Sequence, residues 1–287
     1  MKIFVNRTIE NNLLKSIIFQ KQINIFSKSV DKIDFLLYNL SVVIFSPYEK
    51  ERINMFKCKI ADFIIEIDNK YEYSENACRD YLYAGAEKAD LRIALSNEEI
   101  ECEQIPEHNS SRPLMEFTGI YRKFHSFLLD NNACVMHCSL ISLDGKGTAF
   151  LAPSGTGKTT HTAYWKSLYK EKLVVVNGDK PIIRIINGKI IAYGTPWSGK
   201  ERWQTNTSAE LYNLAFIKRS EKNFVEKISA DEALPLLMQQ LLVPTEKDKM
   251  LTFLDILNHL LSKCNLYNIY CNMSEEAAKI ACETLYS

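Results

Sequence analysis

The sequence has no excess of charge of either sign, because 35 lysines and arginines balance 35 aspartates and glutamates among its 287 residues. A balanced chain has no overall field that would draw it to nucleic acid or to anionic lipid. The longest apolar run, 35–45, contains Asn39 and Ser41 and is too short to cross a bilayer. We therefore expect neither nucleic-acid nor membrane partners.

The eight cysteines include no CxxC pair and no zinc-finger spacing. Cys134, His137 and Cys138 lie close together, but a fourth ligand is missing nearby, so the pattern favours one apolar element over a metal site. Scattered free thiols without a signal peptide indicate a reducing cytoplasm. An apolar fraction of 46% is enough for a sizeable core.

The first unit, 1–55, differs in composition from the rest. It is rich in Ile, Asn, Lys and Phe, lacks glycine through residue 54, and shows no helix or strand period. Residues 50–55 back-translate to a purine-rich ribosome-binding sequence just before a start codon. We hypothesise that translation begins at Met55 and that 1–54 is a misassigned leader, with a genuine N-terminal extension as the alternative. An intact mass that includes Met1 would exclude the leader.

Residues 56–113 are predicted to form a small, strand-rich α+β region. Apolar and polar residues alternate over 56–68, which predicts one strand, and 91–95 predicts another. Apolar residues at helical spacing over 114–129 predict the helix that opens the larger unit, 114–287.

The most informative stretch is 148–162, where an apolar strand runs into a glycine-rich loop that ends in Lys158 and Thr159 at a predicted helix start. Backbone N–H groups in such a loop point at a polyphosphate, and the positive end of the helix adds to the attraction. Lys158 would reach the terminal phosphates, and the Thr159 hydroxyl would bind magnesium. A chance glycine-rich turn is the alternative.

The loop departs from the usual pattern at its first position, where Ala152 replaces glycine, but Gly155 and Gly157 let the backbone approach a phosphate closely. The sequence therefore predicts that ATP and Mg²⁺ bind here. The predicted nucleotide-binding residues are Ala152, Pro153, Ser154, Gly155, Thr156, Gly157, Lys158, Thr159 and Thr160.

Two hairpins flank this loop. Strands 138–143 and 148–152 form the first, and 182–186 and 189–193 are joined by Asn187-Gly188, a strong hairpin signal. Common P-loop domains place the loop after the first strand of parallel βαβ units. We therefore predict a mixed α/β fold with a largely antiparallel sheet and the phosphate loop after a hairpin.

Asp179 follows the apolar strand 173–176 and is the best partner acid for the loop. It could hold Mg²⁺, directly or through water, or accept a proton from a hydroxyl; capping the turn before Pro181 is the alternative. His137 stands at the entry to the first hairpin, where a core or edge histidine is the common outcome.

A third cluster lies in 194–203. Lys200 and Arg202 could bind an anion, and Trp197 and Trp203 could stack on a base or a peptide, although a turn with packed tryptophans is the alternative.

The run from His137 through APSGTGKTTHT, NGDKP and YGTPWSGK resembles the HPr kinase-related proteins of the phosphoenolpyruvate-carboxykinase-like superfamily, in particular its stand-alone short bacterial members. The resemblance covers 56–287 and is most specific over 137–204. It implies the fold of the HPr kinase C-terminal domain and ATP-dependent phosphorylation of a hydroxyl. The typical acceptor is a serine on a protein or peptide, and some relatives modify ribosomal-peptide precursors. HPr kinases assemble, so a homo-oligomer is possible.

By position, the resemblance places Lys158 at the γ-phosphate, Thr159 and Asp179 at the metal, and His137 at the family's histidine before the loop. Together with Lys200 and Arg202, which would steady the transferred phosphate, Lys158, Asp179 and His137 make up the predicted catalytic set. The family often has two adjacent aspartates where this chain has Gly178-Asp179-Lys180. If Asp179 matches the second, it is the metal-side acid and the first role is vacant; if it matches the first, Lys180 replaces the other. The general base and any phosphorolysis are therefore left open.

The predicted function is therefore an ATP- and Mg²⁺-dependent kinase. Two alternatives stay open. One is a non-catalytic, ATP-gated module that holds a peptide at 56–103, and the other is a small-molecule kinase.

Overall fold

The computed structural model describes residues 54–105 and 110–287. The leader hypothesis for 1–54 lies outside these residues except for Asn54. The first sheet has three strands: β1 (Asn54–Ile60) and β2 (Phe63–Asn69) run antiparallel, and β3 (Leu91–Ala94) lies parallel to β2.

The prediction of one strand over 56–68 is wrong, because the chain reverses at Ala61 and Asp62. Both residues have positive φ, 50° and 66°, and form a two-residue turn between the paired Ile60 and Phe63. The two turn residues shift the alternation by one position, so the buried set changes from Phe56, Cys58 and Ile60 in β1 to Phe63, Ile65 and Ile67 in β2. Neither turn residue is the glycine or asparagine that signals such a turn. This change of phase is the sequence signal of the reversal, and the prediction of one strand overlooked it.

The described residues include seven α-helices: α1 (Glu72–Ala77), α2 (Asn97–Glu101), α3 (Arg112–Leu129), α4 (Lys158–Tyr169), α5 (Ala230–Met238), α6 (Lys247–Lys263) and α7 (Glu275–Leu285). The helix predicted over 114–129 is confirmed as α3, with Pro113 in its first turn, where a missing N–H costs nothing. Within 54–105 and 110–287, no helix is both long enough and apolar enough to span a membrane.

The second sheet contains β4 (Ala133–Val135), β5 (Ser139–Leu143), β6 (Lys146–Leu151), β7 (Leu173–Asn177), β8 (Ile182–Ile186), β9 (Lys189–Tyr193), β10 (Ser208–Arg219), β11 (Phe224–Lys227) and β12 (Asn265–Cys271). Its order is β4-β8-β9-β10-β6-β5-β7, and β12 pairs with β10 and β11. Among these described strands only the β6–β10 and β10–β12 pairings are parallel. The mixed, largely antiparallel α/β fold and both predicted hairpins are confirmed.

The centre of this sheet is buried on both faces. Leu151 and Phe216 belong to a core shared with α5 and α6, whereas Phe150 and Ala215 face a second core shared with α4 and α7. Strand segments covered on both faces are apolar instead of alternating, which accounts for the apolar runs 149–151 in β6 and 214–217 in β10. Because β6 is packed between these two cores, the position of its last residue, after which the loop 152–160 starts, is fixed.

Arg184 attaches the small sheet to the large one. From β8, its guanidinium donates to the Ala61 carbonyl at 2.6 Å and lies 4.0 Å above the Phe63 ring. Nearby, the Tyr193 hydroxyl donates to Asp62 at 2.5 Å. The turn between β1 and β2 is thus held by a partly buried cation and a phenol.

Replacing Arg184 with alanine should lower the free energy of unfolding by about 2 kcal/mol, because a charged hydrogen bond and a cation–π contact are lost together. Urea denaturation measures the change. Arg184→Lys should recover only part of it, since an ammonium cannot reproduce the planar stacking. Unchanged stability in Arg184→Ala would show that the turn is held by other contacts.

Candidate functional site

The loop between β6 and α4 is shaped by its glycines. Gly155 and Gly157 have φ of 74° and 120°, values that side chains disfavour, and a Cβ on Gly157 would collide with the sulfur of Met273. The first N–H groups of α4 have no partner within the helix by geometry, so they are directed into the loop. The backbone has the shape that the sequence predicted for an anion cradle.

Lys158, the first residue of α4, is buried, and its ammonium donates to the Ala152 carbonyl at 2.7 Å. The Ala152 methyl packs in the core with Phe150 and Trp165, and its φ is not positive. Alanine is therefore compatible with this loop, because its side chain points to the core and its backbone needs no glycine.

Arg219 is a second cation beside the loop, and sequence reasoning missed it. It stands at the end of β10, and its guanidinium donates to the carbonyls of Gly155 at 2.5 Å and Thr156 at 3.2 Å. The parallel pairing of β6 and β10 brings both strand ends to one edge of the sheet. That pairing joins segments about sixty residues apart in the sequence, so no local sequence pattern predicts that Arg219 lies beside the loop.

The turn that carries Asp179 is organised by Asn177. This buried residue accepts hydrogen bonds from the backbone N–H of Asp179 at 2.8 Å and of Lys180 at 2.7 Å. Its amide nitrogen donates to the carbonyl and hydroxyl of Thr195, at 3.0 Å each. The turn-capping role that sequence reasoning considered for Asp179 is thus filled by Asn177, and the Asp179 carboxylate points elsewhere.

The Asp179 carboxylate lies between two basic groups. Its Oδ1 is 3.3 Å from His137 Nε2, and its Oδ2 is 2.5 Å from Lys180 Nζ. Burial alone would raise the pKa of Asp179, but the charge of Lys180 and the hydrogen bond from His137 outweigh it and hold that pKa well below its usual range. Asp179 is therefore ionised throughout the neutral pH range.

His137 is held in place by the backbone on both sides. Its N–H donates to the Gln240 carbonyl at 2.8 Å, and the next residue, Cys138, donates to the Asp179 carbonyl at 3.0 Å. Gln240 follows α5, and its side chain lies between the His137 ring and the Ala152 carbonyl. A chain of contacts therefore runs from the phosphate loop to Asp179, through a glutamine that sequence reasoning missed.

The predicted cluster at 194–203 divides into two parts. The Trp197 ring is 8% exposed and stacks on Phe117 of α3, with ring centroids 5.4 Å apart, so it packs in the core and is not exposed to stack on a ligand. Gly199 packs against Asp179, because a Cβ built on it would lie 3.3 Å from the Asp179 Cβ.

Lys200 and Arg202 are both exposed in the turn that Gly199 opens. The Arg202 guanidinium makes no hydrogen bond or ion pair within the described ranges 54–105 and 110–287. Both cations are thus carried by the turn beside Asp179, at the surface.

The donor set fits magnesium better than a tightly caged metal. Within the part of the chain that the structure describes, no group of three or more His, Cys, Asp and Glu side chains could hold a metal. Magnesium usually takes one or two protein oxygens with the remainder from phosphate and water, which Thr159 and Asp179 could supply. Lys180 and His137 already contact the Asp179 oxygens, so a metal would share that carboxylate with them.

His161 lies on α4 behind the loop and is fully buried. Its Nε2 accepts a hydrogen bond from Trp165 Nε1 at 3.0 Å, and its ring meets Phe150 edge-on. Burial lowers the pKa of His161 to about 4. It is a neutral core residue at physiological pH.

This burial predicts acid sensitivity. In the unfolded chain His161 binds a proton below about pH 6.5, whereas in the folded chain it binds one only near pH 4. The free energy of unfolding therefore decreases as pH falls through this window. The loss should be about 3 kcal/mol. His161→Gln should flatten the curve of unfolding free energy against pH, and His259→Gln, at a surface histidine, should not. Parallel curves for wild type and His161→Gln would contradict the account. His125, whose pKa burial also lowers to about 4, keeps part of the slope in His161→Gln.

Comparisons with known proteins give little guidance for this chain. No protein-family model matches it, and no curated protein matches it in sequence. Among solved structures, it is similar to the HPr(Ser) kinase/phosphatase from Coxiella burnetii, with 10% sequence identity, a TM-score of 0.30, and coverage of 52% of this chain and 95% of that chain. At this degree of likeness, conclusions about chemistry depend on the geometry of the site itself.

Proposed function

We propose that the chain binds Mg²⁺-ATP at the loop 152–160 and transfers the γ-phosphate to a hydroxyl, typically a serine of a protein or peptide. The main support for this proposal is a short chain of contacts between the loop 152–160 and the Asp179 carboxylate. Lys158 and Gln240 both contact the Ala152 carbonyl, and Gln240 contacts His137, which pairs with Asp179. An anion cradle and an ionised carboxylate joined in this way are the two parts that phosphoryl transfer requires.

In this proposal the loop N–H groups and Lys158 bind the β- and γ-phosphates, and Thr159 and Asp179 hold the metal. Bound Mg²⁺ would neutralise charge on the phosphates. Lys200 and Arg202, exposed on the turn beside Asp179, steady the phosphate as it moves to the acceptor.

The low pKa of Asp179 bears on its role. A carboxylate held well below its usual pKa by Lys180 and His137 is a weak proton acceptor. In a loose transition state the acceptor O–H breaks late, so a strong base is not needed. We infer that Asp179 mainly orients the metal and the hydroxyl, and takes the proton only as the new O–P bond forms.

One observation favours a second candidate, the ATP-gated peptide-binding module. The single acid of the site already has a counter-ion, Lys180, at 2.5 Å. If that pair persisted with ATP bound, the site would hold ATP without activating an acceptor. In that case the small sheet within 56–103 would hold the peptide.

Incubation with γ-labelled ATP and Mg²⁺ separates the candidates. A kinase should transfer label to serine-containing peptides and release some to water without them, whereas the module should return intact ATP. Label that passes only to small hydroxyl compounds would support a small-molecule kinase. Bound but unchanged ATP under all these conditions would contradict the proposed phosphoryl transfer. The acceptor, a cytoplasmic location, the lack of nucleic-acid or membrane partners and a homo-oligomeric state are parts of the proposal that need their own measurements.

A further inference from the structure

Gln240 is a polar residue in a buried position. It lies just beyond α5 and is 6% exposed. Its backbone carbonyl accepts from the His137 N–H, and the next residue, Leu241, forms a β-bridge with Met136. Buried glutamine side chains need hydrogen-bond partners, so the contacts of this amide indicate what it does.

The orientation of the Gln240 amide follows from its surroundings. Its nitrogen is placed 3.2 Å from the Ala152 carbonyl oxygen, 3.1 Å from the His137 carbonyl oxygen and 3.1 Å from His137 Nδ1. The opposite orientation would set Oε1 against two carbonyl oxygens and leave them without this donor. The NH₂ group is therefore a donor to the phosphate loop on one side and to His137 on the other.

We propose that Gln240 is a positioning residue that fixes the tautomer of His137 and ties it to the phosphate loop. Because an amide nitrogen cannot accept a hydrogen bond, a proton on Nδ1 would have no acceptor at Gln240, and the ring proton of a neutral His137 sits on Nε2. Nε2 lies 3.3 Å from Asp179 Oδ1, so this tautomer donates to the carboxylate. Gln240 thereby keeps His137 as a donor to Asp179.

A second consequence rests on the proposed function. Lys158 donates to the Ala152 carbonyl, and in the proposal its ammonium turns to the ATP phosphates. The Ala152 carbonyl is in a buried residue and would lose that donor. Gln240 continues to donate to it, so the loop can release Lys158 without leaving the carbonyl unpaired.

The tautomer is tested on the chain without nucleotide, by NMR of ¹⁵N-histidine-labelled protein, with a His137→Gln sample to identify the His137 signals. Wild type should show a proton on Nε2 and none on Nδ1. Gln240→Glu should protonate Nδ1, because a carboxylate accepts where the amide donates. Gln239→Glu, at the exposed neighbouring glutamine, should leave the signals unchanged.

A proton on Nδ1 in neutral wild-type His137 would overturn the inference, and so would an unchanged His137 signal in Gln240→Glu. If Gln240→Glu does not fold, Gln240→Met keeps the test decisive. Asp179 still accepts from Nε2 in this variant, but Nδ1 loses its amide neighbour, so the Nδ1 signal should move away from its wild-type position. A spectrum identical to wild type would overturn the role of Gln240. The His161 signals, which belong to the core of α4, report folding in every sample.

The link to the loop is tested by titration with Mg²⁺-ATP. Gln240→Met should raise the dissociation constant about tenfold, since the Ala152 carbonyl loses both donors when ATP binds. Gln239→Met should bind as wild type does. Equal affinity in Gln240→Met and wild type would overturn the link between Gln240 and the loop. Absence of ATP binding in wild type would instead contradict the proposed function and leave the tautomer result intact.

Discussion

The Lys158→Ala protein is expected to lose phosphoryl transfer by about a thousandfold while keeping its fold. In the proposed mechanism, Lys158 is the cation that meets the charge developing on the γ-phosphate. In the structure Lys158 donates to the Ala152 carbonyl, which Gln240 also contacts, so truncation leaves that carbonyl with a partner. The measurement is release or transfer of the labelled γ-phosphate at saturating ATP.

The matched control is Lys166→Ala, which removes an exposed lysine two turns further along α4. It should retain activity, because Lys166 lies over the Trp203 ring and not over the loop. Activity within a few-fold of wild type in Lys158→Ala, with thermal unfolding unchanged, would contradict the assignment of the loop as the phosphate site.

The Asp179→Asn protein is expected to lose at least about a hundredfold in phosphoryl transfer, since an amide orients neither metal nor hydroxyl as a carboxylate does. Asp144→Asn is the matched control. Asp144 sits in the turn between β5 and β6 at φ 49°, which asparagine also tolerates. Retained activity in Asp179→Asn would remove Asp179 from the reaction and favour a role in structure alone.

Asp179 also predicts a pH dependence of stability. Its pKa is lowered in the folded state from an ordinary value of 3.8, so its stabilising contribution is present above about pH 4 and is lost as pH falls further. Asp179→Asn should therefore lie below wild type in unfolding free energy at pH 7, and the gap should begin to narrow only below about pH 4. A constant gap between the two curves would show that the carboxylate is not held by Lys180 and His137.

Local signals allowed much of the fold to be predicted. The β8–β9 hairpin was predictable because Asn187-Gly188 turns with φ of 51° and 74°, which these two residue types tolerate best. The β1–β2 hairpin was not predicted, because Ala61 and Asp62 occupy similar conformations without forming the Asn-Gly or Asp-Gly pair that signals such a turn. A tight turn can be predicted from residue types only where those types favour the backbone conformation that the turn requires.

The residues of the candidate site also differ in whether a local sequence pattern indicates them. The loop between β6 and α4 and the place of Asp179 after β7 were predictable because each follows an apolar strand with its own short pattern. Gln240 and Arg219 were not, because they reach the loop through pairings between distant segments. Trp197 shows the remaining difficulty: composition cannot tell a tryptophan that stacks on a ligand from one that packs on Phe117.

The central claim is that the loop 152–160 binds the phosphates of ATP, and a crystal structure with Mg²⁺ and a non-hydrolysable ATP analogue tests it most directly. The account predicts the triphosphate against the backbone N–H groups of this loop, with the Lys158 ammonium moved from the Ala152 carbonyl to the β- and γ-phosphates. Analogue bound elsewhere while Lys158 still contacts Ala152 would contradict the account.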